Sequence, residues 1–108
     1  MAKLLYTVRA LVPTVTLRGR YLSWLVPDHV LAVKAGGAEA VRVVLPDRAN
    51  ESAPAIVEAQ YVFPSRKAFD VYVRDHAQAL RADGLKNFPP ESGITYERQV
   101  AEIASELG

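Results

Sequence analysis

"AEAVRVVLPDRANESAPAIVEAQYVFPS", residues 38–65, holds two short apolar segments separated by a polar one. Residues 38–46 and 55–63 are rich in Val and Ala and are closed by Pro46 and Pro64, so both read as strands. The intervening "DRANESAP" (47–54) has the Asp, Asn, Ser and Pro chemistry of a turn, which pairs the two strands as an antiparallel hairpin. Ser65 then stands where a helix N-cap is needed, with a hydroxyl for an orphan N–H of the first turn.

Working outward, Phe69, Tyr72, Val73, His76, Ala77 and Leu80 recur at helical spacing, and Gly84 is the expected stop. "ITYERQVAEI" (94–103) follows a Pro-rich loop and reads as a last strand. Upstream, "KLLYTVRALV" (3–12) is rich in strand formers and ends at Pro13. Thr14 or Thr16 caps the next helix, whose inward face takes Leu22, Leu25, Val26, His29, Val30 and Val33. Pro27 interrupts that face, because it lacks an N–H and clashes with the turn before it, so a kink or two short helices are expected. Gly36 and Gly37 close the element. The order is β-α-β-β-α-β, an α+β, ferredoxin-like arrangement with two helices on one face of a four-stranded antiparallel sheet.

The chain has 108 residues, 50% of them hydrophobic and 23% charged, which suits one globular domain spanning 1–108. No cysteine is present, which removes disulfides, thiolate nucleophiles and zinc-thiolate sites. A net charge of +1 gives no basic footprint for nucleic acid. No apolar run approaches the ~20 residues of a membrane helix, and residues 1–15 lack signal-peptide character, so a soluble cytoplasmic protein is expected. "KAGGAEAVR" matches no phosphate-binding loop, and two histidines without metal-ligand spacing argue for no metal and no cofactor.

Side-chain alternation sorts each strand into two sets. Val41, Val43, Leu45, Val57, Ala59, Tyr61 and Phe63 should lie under the helices. The opposite face mixes Leu5, Leu11, Ile56 and Val62 with Arg9, Arg42, Glu58, Gln60 and Glu97. A second copy packed sheet to sheet would cover the aliphatics and let the charges pair, so a homodimer using this face is expected.

His29 and His76 are the only histidines, one on each helix and both on the apolar face. If the helices lie side by side, the imidazoles can serve as acid and base in one cavity, with Tyr72 one turn before His76. Trp24, Leu25, Tyr6, Tyr61 and Phe69 are the corresponding candidate ligand walls. The plainer reading makes both histidines satisfied core residues. Most of the charges of helix two, Arg66, Lys67, Asp70, Arg74, Asp75, Arg81 and Asp83, alternate in sign and read as a solvated, pairing surface.

In order, "YTVRALV" (6–12), "WLVPDHVLAVKAGG" (24–37), "AQYVFPS" (59–65) and "FDVYVRDHAQALRADGLKNF" (69–88), leading to "YERQV" (96–100), resemble a domain-of-unknown-function family of short dimeric α+β barrel proteins. That resemblance implies a ferredoxin-like subunit whose sheet joins a partner's into a barrel, and it assigns no catalytic residues. The wider superfamily includes cofactor-independent monooxygenases, polyketide cyclases, lactone isomerases and haem-binding peroxidase-like enzymes, with ligands held between helices and sheet. By analogy of fold, the expected function is binding of a small apolar molecule there, with cofactor-free proton transfer, cyclisation or oxygenation. A non-catalytic dimeric structural or regulatory module is the alternative, and it predicts a packed core with histidines bonded to protein groups.

Overall fold

A computed structural model describes residues 2–107. Four strands form one antiparallel sheet: β1 (Leu4–Val12), β2 (Ala40–Val44), β3 (Ala55–Phe63) and β4 (Thr95–Glu102). Their spatial order is β2-β3-β1-β4. Two helical arms cross one face. The first comprises α1 (Val15–Trp24) and α2 (Val30–Ala35), and the second α3 (Arg66–Tyr72) and α4 (Gln78–Asn87). This is the ferredoxin-like β-α-β-β-α-β order expected from residues 38–65 outward.

Both helix starts follow from their caps. The Thr14 hydroxyl accepts from Leu17 N–H at 3.1 Å and the Ser65 hydroxyl accepts from Ala68 N–H at 3.1 Å, each relieving one orphan donor. The first arm breaks where Pro27 demanded it: Val26 adopts φ −118°, ψ 129°, and the Val26–Pro27 peptide is cis. Val26 therefore turns outward and is 43% exposed, contrary to the uninterrupted helical phase. Gly37 at φ +132° then leads the chain into β2, in a region side chains rarely adopt.

The second arm departs from expectation in two places. A widened turn at Val73–Ala77 shifts the helical phase, leaving Val73 and His76 exposed while Ala77 is buried. Gly84 does not end the helix, which runs on to Asn87; it is buried inside α4 against the Trp24 ring.

The core lies between arms and sheet. Leu4, Tyr6, Ala10 and Val12 of β1 join Ala55, Val57, Ala59, Tyr61 and Phe63 of β3 beneath Tyr21, Leu25, Val33, Phe69 and Tyr72. Leu45, expected there, lies beyond the end of β2 and is largely exposed. On the opposite face Arg9 forks onto Glu58 at 2.9 and 3.2 Å, Gln60 donates to Glu58 at 2.7 Å, and Arg42 donates to Gln60. The Gln60 amide, joined by the Arg9 guanidinium, holds the Glu58 carboxyl below its ordinary range. Glu97 sits opposite Arg9 in the register, yet Arg9 turns to Glu58 instead. Leu5, Leu11, Ile56 and Val62 are half-buried on that face. Among the described residues no helix is long and apolar enough to cross a membrane.

Candidate functional site

Where α1, α2 and α4 stand off the sheet they leave a cavity of about 250 Å³. That lies just below the roughly 300–1,000 Å³ of pockets for drug-sized ligands, and suits a molecule of one or two rings. Its floor is Tyr6 and Val8 of β1, Ala59 and Tyr61 of β3, and Tyr96 and Arg98 of β4. Tyr21, Trp24, Leu25, His29 and Val33 approach from the first arm, and Tyr72, Leu80, Arg81, Gly84 and Leu85 from the second. The chain has five tyrosines, and all five line this one cavity.

The aromatic rings make the walls rigid. Tyr6 lies 5.2 Å from Phe69 and 6.0 Å from Tyr61 between centroids, while Tyr21 lies 5.5 Å from Trp24 and 5.3 Å from Phe88. Gly84 lets α4 approach closely at this point, since a Cβ there would stand 3.3 Å from the Trp24 ring. Burial pushes the Tyr72 hydroxyl up to about 12, and burial likewise raises Tyr21, Tyr61 and Tyr96. At neutral pH these four phenols are O–H donors.

His29 is the imidazole of the cavity. Its ring centroid is 4.2 Å from that of Trp24, with the planes 33° apart. Its Nδ1 is buried and bonds to no protein group among the described residues. Burial lowers its pKa, and the opposing pull of Asp83 is the smaller effect. The ring is therefore neutral near pH 7 and keeps one lone pair for a proton. Trp24 Nε1 donates to Asp83 at 3.3 Å, and a neighbouring groove of about 310 Å³ carries Asp28, Asp83 and Asn87 beside His29.

Of the residues expected from the sequence, the structure brings Tyr6, Trp24, Leu25, His29, Tyr61 and Tyr72 together around the cavity. Phe69 stands behind Tyr6 and Tyr72 as a packing residue. His76 does not reach the cavity: it is exposed, and its ring lies over Tyr72 and beside Gly36. Two histidines sharing one cavity is thus corrected to one, because the widened turn rotates His76 outward. Arg81 and Asp83 are exposed, as expected, and in addition Arg81 lines the cavity and Asp83 accepts from the indole N–H. Tyr21, Tyr96 and Arg98 were missed. Strand alternation already placed Tyr96 and Arg98 on the helix-facing side of β4, and the clustering of phenols on that side was the signal to follow. Among the described residues no three His, Asp or Glu side chains are grouped as a metal-binding set.

No known family profile matches the chain, and no curated protein does. Solved structures do match over nearly the full length. A dimeric ferredoxin-like protein from an uncultured marine organism shares 14% identity and a TM-score of 0.68, covering 99% of this chain and 100% of that one. SnoaB, a cofactor-independent oxygenase from Streptomyces nogalater, shares 11% identity and a TM-score of 0.62 over 99% and 98%. An ethyl tert-butyl ether d (ethd) family protein from Bacillus halodurans shares 13% identity and a TM-score of 0.62 over 92% and 98%. At these identities the likeness is one of fold, and the fold of this chain is the ferredoxin-like one.

Proposed function

We propose that the chain binds a small, largely apolar molecule between its helices and sheet and moves a proton on it, with His29 as the base. The observation that carries this reading is the His29 imidazole in the lining of a cavity that gathers five phenols, with its Nδ1 bonded to no protein group among the described residues. An imidazole whose ring lines a cavity and is kept neutral by burial is suited to accept a proton from a molecule held there. Abstraction of a proton α to a carbonyl fits best: the neutral imidazole accepts the proton, and a phenolic O–H, with Tyr72 foremost, donates to the developing enolate oxygen. A fully packed structural module would leave no such cavity, so the cavity supports a ligand-binding role over a purely structural one.

In this reading two copies pack through the uncovered sheet face, with Arg9, Arg42, Glu58, Gln60 and Glu97 bordering the contact. Support comes from the half-buried aliphatics left without a cover and from the marine ferredoxin-like protein, which is itself described as dimeric. The test of the ligand reading is equilibrium dialysis with α-naphthylmethanol, together with base-catalysed deuterium exchange of β-tetralone. Saturable binding and His29-dependent exchange are expected, and absence of both overturns it.

A further inference from the structure

The charged groups around the cavity are segregated by sign. Arg81 of α4 and Arg98 of β4 line it, and no Asp or Glu does. The carboxylates of Asp28 and Asp83 lie in the neighbouring groove, which shares only Trp24, His29 and Leu80 with the cavity. Both guanidiniums are exposed, at the mouth between α4 and the sheet edge. Arg81 Nη2 reaches the Tyr6 hydroxyl at 3.4 Å, and Arg98 sits 5.2 Å above the Tyr96 ring centroid. Neither forms an ion pair among the described residues, whereas Arg9 and Arg74 each find a carboxylate.

Two cations and no carboxylate in the lining of an otherwise apolar, phenol-lined cavity give it a positive field that favours an anionic ligand group. We propose that the natural ligand is a monocarboxylic acid with a one- or two-ring apolar body, its carboxylate held at the mouth by Arg81 and Arg98. The fork of a guanidinium matches a carboxylate, and the Tyr6 hydroxyl steadies Arg81 from below. The body then lies inward among Tyr61, Tyr72 and Leu25, within reach of His29. This specifies the ligand class of the cavity and rests on the cavity being a binding site.

The test is equilibrium dialysis at low salt with α-naphthoate and its neutral counterpart α-naphthylmethanol. Naphthoate is expected to bind at least tenfold more tightly, a difference of about 1.4 kcal/mol, and the gap should close as salt rises. In Arg81→Gln and Arg98→Gln, both changes at exposed positions, naphthoate affinity falls severalfold and by more than naphthylmethanol affinity does. Arg74→Gln, which alters an ion pair away from the cavity, leaves both unchanged. Equal binding of the two compounds, or equal loss of both in the arginine variants, overturns the carboxylate assignment alone. Binding of neither compound overturns the cavity reading and this assignment with it.

Discussion

The His29 imidazole lies 4.2 Å from the Trp24 ring, and Trp24 in turn donates its indole N–H to Asp83. Two of these neighbours favour a protonated His29: the indole face attracts a cation and Asp83 is an anion. Burial outweighs them, and the pKa falls below its ordinary 6.5. Below pH 6.5 the unfolded chain therefore takes up a proton that the native chain resists, so stability is lost as pH falls through that value. Trp24 is the only tryptophan, so its emission reports the site directly. We expect quenching by the protonated imidazole with a midpoint below 6.5, and a flat profile in His29→Gln. An unchanged profile in His29→Gln would show that the quencher is another group.

The phenols give the opposite pH response. Tyr21, Tyr61, Tyr72 and Tyr96 hold their protons above the ordinary value of 10 because burial disfavours phenolate. The stability this represents is present below pH 10 and is lost above it, as the unfolded chain ionises first. Phenolate absorbance from these four residues should rise together with loss of helix in circular dichroism. Tyr61→Phe should keep more of its stability at high pH than the wild type does. Phenolate formation in a chain that stays fully folded contradicts the burial.

Gly36 ends α2 where a Cβ would meet the Tyr72 ring at 3.0 Å and the His76 ring at 3.1 Å. Gly36→Ala should destabilise the fold by about 1–3 kcal/mol through overpacking, read as a lower urea midpoint. His76→Ala in that background should recover part of the loss, since it removes one of the two crowding rings.

The uncovered sheet face supplies a prediction about assembly. Leu5 and Val62 face each other across β1 and β3 and are half-buried. Val62→Glu should convert a two-copy species into one copy in sedimentation, with circular dichroism unchanged. Wild-type protein sedimenting as a single copy at high concentration contradicts the sheet-to-sheet packing.

The fold was legible because local signals agreed with one another. Pro46, Pro64 and the 47–54 turn framed the hairpin, Thr14 and Ser65 capped both arms, and alternation put the correct face of β3 under the helices. The site was legible only where helical phase held. Tyr72 fell within regular periodicity, and past the break, which turned Val26 alone outward, His29, Val30 and Val33 kept their inward face, whereas the widened turn at Val73–Ala77 moved His76 off its expected face. A wide turn inserts register without any glycine or proline to announce it, so His76 read as inward. Gly84 looked like a helix stop because the ring it accommodates, Trp24, lies sixty residues earlier in the chain.

The role of His29 as a base is read most directly from deuterium exchange at the α-carbon of β-tetralone, followed by NMR in heavy water. Exchange above the buffer rate is expected with wild-type protein, with a loss of at least about tenfold in His29→Ala, as when a general base is removed, and undiminished exchange in His76→Ala. Exchange that survives His29→Ala, or that depends on His76, contradicts that role.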